Sequence, residues 1–156
     1  MSEFEIRALT VGDHAGVLAL AHRLSEHVAP WRCNTQVLET VQRWVHDAVT
    51  AHNPDRAPVV VAVAADRVLG FAVAGTRTHW TGDVDGYLGE LVVDPSAESA
   101  GVGRALVAAV EHWCRSNGYG RVTLETGAAN TRARRFYDHL GYQTEEVVLT
   151  RSIVTP

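Results

Sequence analysis

Two stretches of the chain carry residue types and spacings capable of chemistry. In the first, the apolar run Leu91-Val92-Val93 leads through Asp94-Pro95 into Glu98-Ser99-Ala100-Gly101-Val102-Gly103-Arg104, where a helical pattern begins. Glycines let main-chain N–H groups approach a ligand, and the start of a helix favours negative charge. A strand, a glycine loop and a helix in that order therefore suit an anion such as a pyrophosphate. The plain alternative is that Gly101 and Gly103 only permit tight packing. No Gly-Lys-Ser/Thr follows, and the third glycine of a dinucleotide fingerprint falls on Leu106, so neither common nucleotide signature is matched. The second stretch runs from Leu124-Glu125-Thr126 through Asn130 to Phe136-Tyr137 and Leu140-Gly141-Tyr142. It offers a carboxylate, a carboxamide and a phenol, and Glu90 adds a second carboxylate just before the first stretch. A carboxylate can serve as a general base, and a phenol of ordinary pKa near ~10 as a general acid. Each has a structural alternative: Glu90 and Glu125 as solvated strand carboxylates, Tyr137 as part of a helix's core face.

Composition narrows the chemistry further. The chain has 156 residues, and all 14 of its Lys+Arg residues are Arg. Without lysine there is no Schiff-base or phosphate-loop ε-amine, so anions must be held by Arg or by the backbone. A net charge of −4 argues against broad nucleic-acid binding, and no nucleic-acid partner is expected. Cys33 and Cys114 make no disulfide framework, which favours a reducing, cytoplasmic setting. No apolar stretch approaches the ~20 residues of a membrane span and the N-terminal residues do not read as a signal peptide, so no membrane partner is expected either. The eight histidines lack Cys partners or a His-Glu-x-x-His pattern, so no metal site is expected. Cys114 shares a helical stripe with Leu106, Val110 and Trp113 and reads as core. His79 and Trp80, with Asp83 and Asp85, either bound an amine pocket or form a surface loop.

The elements that must position these residues follow from periodicity. Alternation over residues 4–8 predicts a strand. Thr10 and Asp13 form a capping-box variant opening a helix of about five turns that ends before Pro30. Asn34 or Thr35 caps a second helix with Val37, Val41, Trp44, Val45 and Ala48 on its apolar stripe. Residues 59–64 and 68–74 form a hairpin, 76–86, punctuated by Gly82 and Gly86, a loop or a frayed hairpin tip, and 87–93 a strand. Helix 101–117, strand 121–126, helix 130–140 and a strand-rich tail over 142–153 complete the order. A strand-helix-strand unit between 87 and 126 implies one parallel pairing with a right-handed crossover.

Taken in order, the two motifs resemble the GCN5-related N-acetyltransferase (GNAT) superfamily, whose acetyl-CoA loop reads Gln/Arg-x-x-Gly-x-Gly/Ala and whose later helix carries Asn, Phe-Tyr and Leu-Gly-Phe/Tyr. The resemblance covers nearly the whole chain. It implies one α/β domain over 1–156, with a mixed, mostly antiparallel central sheet and flanking helices. It also implies acetyl transfer from acetyl-CoA to a primary amine of a small molecule or peptide, in a ternary complex, with CoA as product. Leu91, Val92 and Val93 would run beside the pantetheine arm, and Ser99, Ala100, Gly101, Val102, Gly103 and Arg104 would wrap the pyrophosphate. Asn130 would touch the arm, and Tyr137 would lie by the sulfur as general acid. Glu90 and Glu125 both match positions of a general base and stay unranked. A homodimer is one assembly open to such a protein. One departure stands out: Glu98 occupies the Gln/Arg position and Ser99 a usual glycine. A carboxylate beside a pyrophosphate is unfavourable, so Glu98 should face solvent or pair with an Arg, Arg104 being nearest in sequence. That departure keeps open a non-catalytic acyl-CoA-binding module, alongside a transferase of another acyl group.

Overall fold

A computed structural model describes residues 3–154. Five strands, β1 (Glu5–Ala8), β2 (Val59–Ala64), β3 (Arg67–Thr78), β4 (Val84–Val93) and β5 (Val122–Leu124), form one sheet in sequence order. The first four pair antiparallel and β5 joins β4 in parallel, which is the mixed, mostly antiparallel sheet expected. Helices α1 (His14–Leu20) and α2 (Asn34–Thr50) cover one face, while α3 (Val102–Ser116) and α4 (Thr131–His139) cover the other.

The residues of β2 divide between two cores. Val59 and Val61 join Val17, Val45 and Phe71 on the α1–α2 side, and Ala62 joins Leu88, Leu106, Val107 and Val110 on the α3 side. Gly89 is an extra residue in β4, because Val73 pairs with Glu90 and Ala74 with Leu88. This bulge shifts the alternation, so Leu88 packs toward α3 whereas Val92, four residues on, packs toward α1 and α2. Glu90 therefore lies on the α1–α2 face and Leu91 and Val93 on the α3 face.

Three expectations are corrected, and one open choice is resolved. The first long helix is broken into a 3-10 turn at Val11–Asp13, α1, and a second 3-10 turn at Ala21–Ser25. In the tighter turn Ser25 Oγ donates to His22 O at 2.6 Å, and Arg23 is drawn across to β4. The N-cap of α2 is Cys33 rather than Asn34 or Thr35. Of the two readings of 76–86 the hairpin is the one that forms, and most of it is strand, with Thr78 opposite Val84. Gly86, read as punctuation, is instead a packing gap: a Cβ there would sit 2.3 Å from Cys114 Sγ, whereas Gly82, at φ +98°, is the turn glycine. Finally, no strand forms between 142 and 154. The thiol of Cys114 is buried and its pKa is raised by desolvation, as a core cysteine's should be.

Thr10 N–H and Oγ1 both donate to Asp13 Oδ2, at 2.8 and 2.7 Å, so the capping box is present. The same carboxylate receives a two-pronged pair from Arg7 of β1, at 2.6 and 2.9 Å, which holds it well below the usual carboxylate range. No helix is long and apolar enough to cross a membrane.

Candidate active site

The β5 ladder covers only residues 86–88 of β4, which runs on to Val93, so the two parallel strands part beyond Leu88 and Leu124. Asp94 N–H donates to Leu69 O at 2.7 Å, which fixes the alternation of the β3–β4 ladder. The main-chain groups of Val92 and Glu90 face β3, and those of Leu91 and Val93 face the gap. Val92 is thereby removed from the groups available to a ligand: its backbone belongs to the ladder and its side chain is buried.

At the wide end of the gap, Asp94 Oδ1 accepts from Ser96 N–H at 2.8 Å, and Arg67 pairs with Asp94 at 2.8 Å. These bonds lower the carboxyl's pKa to about 2 and fix the turn that launches the loop. Ser99 (φ +65°) and Gly101 (φ +86°) both adopt left-handed backbone. Among the described residues, the N–H groups of Ser99, Gly101, Val102, Gly103 and Arg104 have no acceptor, and Ala100 N–H is taken by Ala97 O. Free N–H groups from a turn with alternating left-handed residues, at the start of a four-turn helix, form a concave anion cradle. The donor set fits a pyrophosphate. A Cβ on Gly103 would meet Phe136 at 3.4 Å and Val93 at 3.5 Å, so the cradle lies directly between the end of β4 and α4.

Glu98 is neutralised, but not by Arg104. It accepts from Arg23 Nη1 at 3.0 Å and from Arg132 Nη1 at 2.8 Å, and both pairs lower its pKa. Arg23 also bonds Val93 O and pairs with Glu26 at 3.1 Å. One guanidinium thus ties the turn after α1 to the end of β4 and to the loop. Sequence reasoning missed Arg23, because nothing in one dimension separates it from any other Arg spaced three residues from a Glu.

The acid and base candidates fall into different surroundings. Glu90 is half-buried, has no ion pair among the described residues, and burial raises its pKa. Glu125 lies just past β5, exposed, in a 2.6 Å pair with Arg77, whose guanidinium carbon is 5.8 Å from the centre of the Tyr87 ring. Tyr137 packs edge-on against Phe136 and Tyr142 in the α3-side core, and burial pushes its phenol up to about 12. Asn130 caps α4, its Oδ1 accepting from Ala133 N–H at 3.1 Å, which leaves its amide NH2 to donate elsewhere. The pocket of His79, Trp80, Asp83 and Asp85 does not assemble: Asp83 and Asp85 both pair with Arg121, and Asp85 is buried.

The arrangement is thus an open strand edge ending in an anion cradle, with a free carboxylate on one face of the sheet and a neutral phenol on the other. Such a frame can hold an extended ligand that ends in an anionic group. The family model for the Acetyltransferase (GNAT) family matches residues 21–142, and the chain belongs to that family. It is 41% identical over 90 residues to a mycothiol acetyltransferase of Nocardia farcinica, covering 54% of this chain and 27% of the relative. It spans about a quarter of the length of the mycothiol acetyltransferases it matches. With an aminoglycoside N(6′)-acetyltransferase type 1 of Klebsiella aerogenes it shares 39% identity over 108 residues, 64% of this chain and 67% of the relative. Among solved structures, a putative acetyl transferase from Pyrococcus furiosus superimposes with a TM-score of 0.77 at 17% identity, over 97% of this chain and 100% of the other. An aminoglycoside N-acetyltransferase in complex with CoA gives 0.72 at 23%, over 99% and 97%. At these identities the structural likeness is one of fold.

Proposed function

We propose that the protein is an acetyl-CoA-dependent N-acetyltransferase acting on a primary amine of a small molecule by direct transfer in a ternary complex, with Glu90 as general base and Tyr137 as general acid. The observation that carries this reading is the placement of an unpaired carboxylate and a neutral phenol on opposite faces of one open strand edge. The donor supplies an activated acetyl thioester and an anionic pyrophosphate. The N–H groups of Ser99, Gly101, Val102, Gly103 and Arg104 bind the anion, while Leu91 N–H and C=O and Val93 N–H remain for the arm, Val93 O being held by Arg23. Asn130 offers its amide NH2 from the start of α4.

The acceptor approaches from the α1–α2 face. Glu90 takes the proton of its ammonium, directly or through one water, and burial suits it to that task by raising its proton affinity. Leu91 N–H is available to take up charge on the carbonyl oxygen. Tyr137, protonated throughout the working range, gives its proton to the departing sulfur. Glu125 is engaged by Arg77 and serves as a wall of the acceptor side rather than as the base. Glu98, the feature favouring a non-catalytic module, loses its force once Arg23 and Arg132 neutralise it.

Relatives named for an aminoglycoside N(6′)-amine point to a cationic small-molecule acceptor. The experiment is release of free thiol from acetyl-CoA across aminoglycosides, polyamines, amino-acid derivatives and peptides, with propionyl- and succinyl-CoA as competing donors. Turnover on a small amine with acetyl-CoA preferred is expected. Binding of CoA without turnover on any acceptor overturns the reading, and preference for another donor overturns the acyl assignment.

A further inference from the structure

Arg23 serves two loops from opposite edges of one guanidinium. Nη1 donates to Val93 O and, at 3.0 Å, to Glu98 Oε1, while Nε and Nη2 each donate at 3.1 Å to the two oxygens of Glu26. Its side chain is 16% exposed, against 66% for Arg132, the other partner of Glu98. The group is flat and its edges are fixed relative to one another, so an orientation set by Val93 O and Glu98 is presented unchanged to Glu26.

Glu26 opens the loop of residues 26–33 that leads into α2 on the α1–α2 side. His27, next in the chain, has left-handed backbone (φ +62°), uncommon for a residue with a side chain. Its carbonyl oxygen lies 3.2 Å from where a Cβ on Gly127 would stand, so the loop crosses against the segment between β5 and α4. Among the described residues, only the bonds of Arg23 join residues 26–32 to the body of the fold by hydrogen bond or ion pair. Glu98, at the far end of the same bridge, immediately precedes the anion cradle that starts at Ser99.

We propose that Arg23 is a positioning residue that couples the donor loop to the acceptor-side loop: it holds Glu98 off the pyrophosphate and passes the ordering of the cradle to residues 26–33, so that donor binding steadies the acceptor side. The acceptor half of this inference rests on the function proposed above. An anion on the N–H groups of Ser99 and Gly101 immobilises the backbone next to Glu98. Glu98 then holds Arg23, and the rigid guanidinium holds Glu26. By linkage, whatever steadies residues 26–33 tightens the donor by the same factor.

The test is calorimetric titration of the full chain with CoA, together with backbone order parameters of residues 26–32 from nitrogen-15 relaxation, with and without saturating CoA. Arg23→Gln leaves Glu98 with one exposed partner beside the pyrophosphate, and CoA should bind about tenfold more weakly. Adding Glu98→Gln removes that charge, and the double variant should return to within about threefold of the unaltered protein, a rescue that a merely structural Arg23 does not allow. In the unaltered protein CoA should raise the order parameters of residues 26–32 by about 0.1 or more; in the double variant, which binds CoA as well but has lost the bridge, it should not. Should Arg23→Gln fail to fold, the double variant is expected to fold, since the part-buried charge left unpaired is gone. Unchanged CoA affinity in Arg23→Gln, no rescue by Glu98→Gln, a double variant that does not fold, or equal ordering of residues 26–32 in the double variant overturns the proposal. Failure of every amine to turn over counts against the functional reading alone, because the coupling is read with CoA.

Discussion

On the α3–α4 side of the sheet, the cradle, Gly103, Phe136, Tyr137 and Asn130 come from two consecutive strand-helix units. On the α1–α2 side, Arg23, Arg77, Tyr87, Glu90 and Glu125 come from four separate stretches that only the fold brings to one face. In the proposed mechanism the first face handles a carrier whose chemistry is constant, and local motif residues suffice for it. The second would then have to fit one particular acceptor, and its side chains are placed by long-range pairing and by one bulge.

Substitutions that separate the faces sharpen this contrast. The largest effect is expected from Glu90→Gln, a loss of about 10² to 10⁴-fold in kcat/KM with CoA affinity unchanged in equilibrium titration. In the unaltered enzyme the acid limb of the kcat/KM profile should fall above the ordinary ~4.3 of a glutamate, because burial favours the protonated form. Tyr137→Phe should lower kcat by about 10 to 10²-fold with little change in KM for the amine, and the alkaline limb should not report Tyr137, whose phenol ionises only near 12. Equal losses from Glu90→Gln and Glu125→Gln would erase the distinction between the two carboxylates. Glu125→Gln is instead expected to cost less than about threefold in kcat, with its effect in the amine KM.

A stability measurement follows from the tie between β1 and the first turn. Asp13→Asn should destabilise by about 1 to 3 kcal/mol in urea at neutral pH, since it removes the charge from a part-buried two-pronged bond. The carboxyl's folded pKa is depressed, so its contribution is complete above the unfolded value of ~3.9 and fades as pH falls toward the folded one. The gap between the two proteins should therefore be constant above about pH 5 and close below about pH 4. The smallest effect is expected at Glu98: Glu98→Gln should change CoA affinity by about threefold or less, because Arg23 and Arg132 already cancel its charge.

Much of the donor face was legible in the sequence. Glycines at 101 and 103, Asn130 as a cap and Phe136-Tyr137 are local features, and their spacing carries the family pattern. The bulge was not legible: Gly89 among Leu88, Glu90 and Leu91 reads as one more strand residue, and only the β3 register reveals it as extra. Gly86 misled for a related reason, since its partner, Cys114, is remote in sequence. The ranking of Glu90 over Glu125 in the proposed mechanism depends on Arg77 reaching one and nothing reaching the other, a three-dimensional accident of a hairpin longer than its polar composition indicated. The tail alternates well enough to be read as strand, but a strand also needs a neighbour, and sequence says nothing of where one lies.

The two cysteines divide cleanly by access. Cys114 is sealed against Gly86, and Cys33 stands exposed at the start of α2, on the α1–α2 side. In a chain with no lysine, amine-directed reagents find no side chain to attack, so a maleimide dye will report from one side-chain position. Once labelled there, the protein is a single-site probe of the face to which the proposed mechanism assigns the acceptor, without any engineered cysteine.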